Sequence, residues 1–141
     1  MQYREENGLV IARLFPGEDL FKTTAQILRE LKIETAVVLS GVGMLRDFEL
    51  SYFIGKGNYG TEKFEKVHEL CALSGLICKK GEDDYSFHLH AVLADENKKA
   101  IAGHLPKGTV EVTCELALLK TGIELKRRIE EESGLNGLFL E

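Results

Sequence analysis

Apolar and polar positions alternate along most of this chain, and the clearest alternation runs from Phe87 to Leu105. Successive side chains of a strand point to opposite faces, so Phe87, Leu89, Ala91 and Leu93 share one face. His88, His90, Val92 and Ala94 share the other. After the polar turn Asp95-Glu96-Asn97-Lys98 a second strand begins, with Ile101, Gly103 and Leu105 on one side and Ala100, Ala102 and His104 on the other. Register decides whether the histidines meet. A three-residue loop at Glu96-Asn97-Lys98 pairs Asp95 with Lys99, Val92 with Ala102 and His90 with His104. A two-residue loop would turn His104 to the opposite face, because a one-residue slip flips every side chain. The three-residue loop is favoured, since it stacks Leu89, Leu93, Ile101 and Leu105 on the reverse side.

Elsewhere the pattern predicts a strand over 8–15, ended by Pro16-Gly17, and an amphipathic helix over 18–32. Glu18 and Asp19 suit the helix start, and Leu20, Thr24, Ile27, Leu28 and Leu31 recur at helical spacing. Ala36 to Leu39 reads as a buried strand and Leu45 to Ile54 as another, with Ser40-Gly41-Val42-Gly43-Met44 as a tight connection between them. That glycine pair is no phosphate loop: the third glycine is missing and no helix follows. Arg46 and Asp47 come next, facing either a pocket or solvent. Gly55 to Gly60 forms a turn, and Glu62 to Lys80 one irregular strand or two joined ones. Gly81 to Asp84 turns into the histidine hairpin. Beyond Pro106-Lys107-Gly108, Thr109 to Leu119 alternates again, with Glu111, Thr113 and Glu115 on its polar face. The mixed charges of 126–132 read as a solvated surface element, and Gly137 to Leu140 as a last short strand. One early helix and many strands imply an α+β domain with a largely antiparallel sheet, a single domain over 1–141.

The chemistry follows from the hairpin. In the favoured register His88 and His90 stand about 7 Å apart along one strand face, with His104 across from His90. Three neutral imidazoles converging on one point suit Zn²⁺ or a similar divalent transition metal, one per chain, with a fourth position for water or a small-molecule ligand. His88, His90 and His104 are therefore the candidate metal ligands. His68, the fourth histidine, reads as a surface or structural residue. A carboxylate such as Glu115 could orient an imidazole or serve as a base.

Composition narrows the class. The net charge of −5 and the absence of a basic tract free of glutamates argue against direct DNA binding. No apolar run reaches membrane-spanning length and no signal peptide opens the chain. Cys71, Cys78 and Cys114 are scattered and odd in number, the pattern of reduced, mostly buried thiols in a cytoplasmic protein.

Several segments together carry a resemblance. Pro16-Gly17-Glu18-Asp19, Ser40-Gly41-Val42-Gly43, Leu73-Ser74-Gly75, the His88-Leu89-His90 strand followed by Ala102-Gly103-His104-Leu105, and Thr113-Cys114-Glu115-Leu116 resemble, in that order, the plant-and-prokaryote-conserved (PPC) domain. This is the domain that follows the AT-hooks of plant AT-hook nuclear proteins. The resemblance implies a compact α/β-type domain, usually a homotrimer. It also implies that His88, His90 and His104 occupy the histidine positions of prokaryotic members, some of which look like metal binders. The R-G-R-P core of an AT-hook is absent, and the plant partner-binding segment G-R-F-E-I-L has Lys66 to Cys71 as its counterpart. Two functions are thus expected: a trimeric metal-binding protein that binds or hydrolyses a small ligand, or a regulatory module that reaches DNA through partners.

Overall fold

The computed structural model describes residues 1–140, which fold into a mostly antiparallel sheet carrying one helix. Strand β1 (Gln2–Glu6) pairs with β2 (Leu9–Leu14), and the helix α1 (Leu20–Glu30) follows. β1 escapes the hydrophobic pattern because it is a polar edge strand hydrogen-bonded to β2 alone. The helix is shorter than 18–32 at both ends. Asp19 is used as its cap, its carboxylate accepting from the N–H groups of Phe21 and Lys22 at 3.0 and 2.9 Å. At the far end Lys32 takes a left-handed conformation, φ 52°, and the helix stops. Leu20, Thr24, Ile27 and Leu28 are buried as their spacing predicts.

The long strands β3 (Thr35–Gly55) and β7 (Ala100–Thr121) frame the molecule, with β4 (Asn58–Phe64), β5 (His68–Lys80) and β6 (Asp84–Ala94) between them in sequence. The order is β1-β2-β7-β6-β5-β3-β4, and β3 also pairs with β7, so the sheet closes on itself. Fully buried Leu14, Ile27, Leu28, Phe48, Leu93 and Leu118 fill the interior.

The structure corrects two expectations here. Ser40 to Met44 is not a connection between strands but the middle of β3, and Gly43 is there for close approach. It has φ +151°, and a Cβ at this position would lie 2.1 Å from the carbonyl oxygen of Thr113. Nor does Pro106 break the chain. It falls within β7 where the β3 ladder shifts register between Glu49 and Ser51, beyond the last β6 partner, His104. The missing N–H thus costs no ladder bond to β3 or to β6.

The histidine hairpin has the three-residue loop. Asp95 N–H donates to the Lys99 carbonyl at 3.2 Å, the Asp95 carboxylate accepts from the N–H groups of Asn97 and Lys99, and Lys98 takes φ 63° to close the turn. His90 consequently faces His104 and Val92 faces Ala102. On the reverse face Leu89, Leu93 and Leu105 are buried, whereas Ile101 is half-buried. Leu89→Ala should therefore cost about 2–5 kcal/mol in denaturant unfolding and Ile101→Ala clearly less. Equal costs would mean that the reverse face is packed differently.

The chain ends in a separate two-stranded hairpin, β8 (Leu125–Ile129) with β9 (Asn136–Leu140). The charged segment read as a solvated surface element is thus partly a strand.

Candidate metal centre

His88 and His90, two residues apart on β6, project from the same face, and β7 brings His104 directly opposite His90. The ring centroids lie 5.2 Å (His88–His90), 5.6 Å (His88–His104) and 5.6 Å (His90–His104) apart. One ring nitrogen from each can be chosen so that all three lie within 4.8 Å of one another. The sequence-predicted trio is therefore assembled by strand parity and hairpin register alone.

The surroundings favour neutral rings. Burial pushes the His88 imidazole below its ordinary pKa, helped by the positive charge of Arg127 and by His90. Burial also lowers His104, with His88 and His90 adding to the effect. Neutral imidazole is the form that ligates metal. Moreover, Nδ1 of His104 is buried and has no hydrogen-bond partner. Buried polar atoms are seldom left so, and an imidazole cluster with an unsatisfied nitrogen fits a divalent cation of the zinc type.

The other polar candidates lie elsewhere. His68 packs its ring against Phe48 and Phe64, at 5.0 and 5.8 Å, and Nδ1 lies 3.0 Å from the Lys66 carbonyl oxygen. Glu111 is engaged by Arg46 at 2.6 Å, and Arg46 also pairs with Asp47. Thr113 accepts from Arg13 Nε at 3.3 Å. Glu115 sits opposite Arg13 on β2 and lines a hollow with Tyr3 and Arg13, not with the histidines. Among the described residues, no carboxylate joins the histidine cluster. Of the cysteines, Cys78 and Cys114 are buried and Cys71 is exposed, all as free thiols, and burial pushes Cys114 up to about 12.

What the sequence reading missed is the cover over the site. The C-terminal hairpin is held to the β3–β4 turn by a 2.8 Å bond from Gly57 N–H to the Ser133 carbonyl. Beneath it a hollow of about 350 Å³ is lined by Tyr59, His88, His104, Arg127 and Asn136, among others. The Tyr59 and His104 rings are 5.7 Å apart. The signal for Arg127 was present as alternation: Leu125, Arg127 and Ile129 share one face of a strand whose charge count disguised it.

Comparison with known proteins agrees with this architecture. The sequence profile of the Plants and Prokaryotes Conserved (PCC) domain matches residues 1–121, leaving β8 and β9 outside the matched stretch. A protein of Bacteroides thetaiotaomicron, provisionally named as DNA-binding, superposes with a TM-score of 0.89 at 21% identity, over 99% of this chain and 96% of that one. The metal-containing protein of Archaeoglobus fulgidus superposes with a TM-score of 0.83 at 24% identity, covering 99% of both chains. Among curated sequences, the bifunctional protein GlmU of Synechococcus sp. (strain JA-2-3B'a(2-13)) is 33% identical over 107 residues. That match takes in 75% of this chain but spans only 16% of the relative's length.

Proposed function

This chain belongs to the Plants and Prokaryotes Conserved domain family, the PPC family of the resemblance above, and on that premise we propose that it is a metal-binding protein of the homotrimeric type whose three-histidine centre receives a small ligand. The observation that carries the proposal is the convergence of the His88, His90 and His104 ring nitrogens within 4.8 Å. The metal-containing relative of the same fold supports it. These three side chains would hold the ion. A bound zinc-like ion would supply a Lewis acid with a coordination position left for a ligand. The protein's part is to hold the three rings in place on the sheet and to favour the neutral form of His88 and His104, which border the hollow beneath the C-terminal hairpin.

Proton competition gives a direct test. Metal binding requires neutral rings, so zinc affinity measured by competition with a chelator should hold near neutral pH and fall as the pH drops below the imidazole range, about 6.5. Because His88 and His104 are lowered from that value, their protonation should set in only at pH below it. Affinity unchanged between neutral pH and about pH 5 would rule out imidazole ligation.

Trimer formation is supported by the outer surface of the sheet. Leu9, Ile11, Val42 and Leu119 are exposed on β2, β3 and β7, with Leu9 directly beside Leu119. An apolar patch of this kind is commonly an interface. Light scattering should give three times the chain mass at micromolar concentration, and a stable monomer would refute the assembly.

The name of the Bacteroides relative favours a second reading, association with DNA. A net charge of −5 places it second, since phosphate neutralisation by Lys and Arg supplies most duplex affinity.

A further inference from the structure

Resting on the metal reading, we propose that the hollow between the histidine cluster and the C-terminal hairpin is a binding site for small oxyanions, carboxylate or phosphate, with Arg127 as the recognition residue. The ligand would have one oxygen directed to the metal position and another to the guanidinium.

Several observations meet here. The chain is acidic overall, yet among the described residues the lining of this hollow contains no carboxylate. Its charged member is Arg127, whose field already reaches His88. The guanidinium is anchored from one side only: one terminal nitrogen donates to the Asn136 carbonyl across the hairpin at 3.2 Å, while Nε is buried without a hydrogen-bond partner. A buried N–H of a permanent cation needs an acceptor, and the planar guanidinium fork matches a carboxylate or phosphate in geometry and charge. Asn136, Ser86 and Tyr59 add neutral polar groups around the same space. About 350 Å³ is the size of a small-molecule pocket rather than a macromolecular groove. A dipositive ion at the histidines would strengthen the preference for an anion. The hairpin that contributes Arg127 is outside the stretch matched by the family profile, so the role proposed for Arg127 is argued from this chain's own residues.

The test is calorimetric titration of acetate, inorganic phosphate and the neutral control acetamide into the zinc-loaded protein, with zinc content measured on the same samples. Acetate or phosphate should bind more tightly than acetamide, and whichever binds more tightly identifies the oxyanion. Arg127→Gln should keep its zinc and lose about tenfold or more in anion affinity, the scale of a lost charge-assisted hydrogen bond. Arg127→Lys should recover part of the loss. Zinc retained with anion affinity unchanged in Arg127→Gln overturns the oxyanion site and leaves the metal reading standing. Zinc absent from the wild type overturns both. Should Arg127→Gln fail to fold, the wild type still decides, because acetate and phosphate binding no better than acetamide overturns the proposal.

Discussion

Replacing His104 by alanine is expected to take zinc from one ion per chain to nearly none after dialysis, and to abolish the stabilisation that zinc confers. That stabilisation should be about 2.7 kcal/mol for the wild type at free zinc a hundred times the dissociation constant, so the change is large and easily read in a thermal melt. The reason lies in the geometry. His88 and His90 share β6 and can present two nitrogens, but only β7 brings the third from the opposite strand. His88→Ala and His90→Ala should behave alike. His68→Ala should retain full zinc, since that ring packs edge-on against the stacked Phe48 and Phe64, away from the cluster. If the His104 and His68 variants hold equal zinc, the ligand set is wrong.

Gly75→Ala should be nearly as damaging, though Gly75 never touches the site through a side chain. It lies on β5 opposite Leu89, with φ +148°, and a Cβ there would sit 1.9 Å from the carbonyl oxygen of His88. No rotamer relieves that contact, because the backbone fixes where the Cβ lies and its partner is a backbone carbonyl oxygen. Either β6 moves, carrying His88 away from His104, or the backbone at residue 75 is rebuilt. We expect a loss of at least about 3 kcal/mol, the sum of backbone strain and overpacking, together with weakened zinc binding. Gly122→Ala is the matched control, since a Cβ at that position meets nothing within 4 Å. Denaturant unfolding of the two variants checks this, and a Gly75→Ala protein within about 1 kcal/mol of wild type would show that β5 and β6 are not so closely apposed.

The histidine trio was legible in the sequence because its geometry depends only on parity. Leu89, Leu93 and Leu105 must face the core, which fixes the register of the hairpin, and the register puts His104 with His90. The helix was legible for a similar reason, its buried residues recurring at 3.6-residue spacing. Long-range features were not. Gly43 reads as a turn when only its neighbours in sequence are considered; its role comes from Thr113 on another strand. Pro106 reads as a break until the ladder shift beside it is known. β1 is polar because it has a partner on one side only. Arg127 was hidden by the charges around it, and its importance arises from where the C-terminal hairpin is tied down, at Gly57, which no local pattern encodes.

The central claim, that His88, His90 and His104 hold one metal ion per chain, is tested most directly by anomalous diffraction at the zinc edge from crystals of zinc-loaded protein. The expected result is a single strong peak per chain with ring nitrogens of all three histidines at about 2.0–2.1 Å. A zinc-replete crystal with no peak among these rings, or with its peak at His68 or the cysteines instead, would contradict the account.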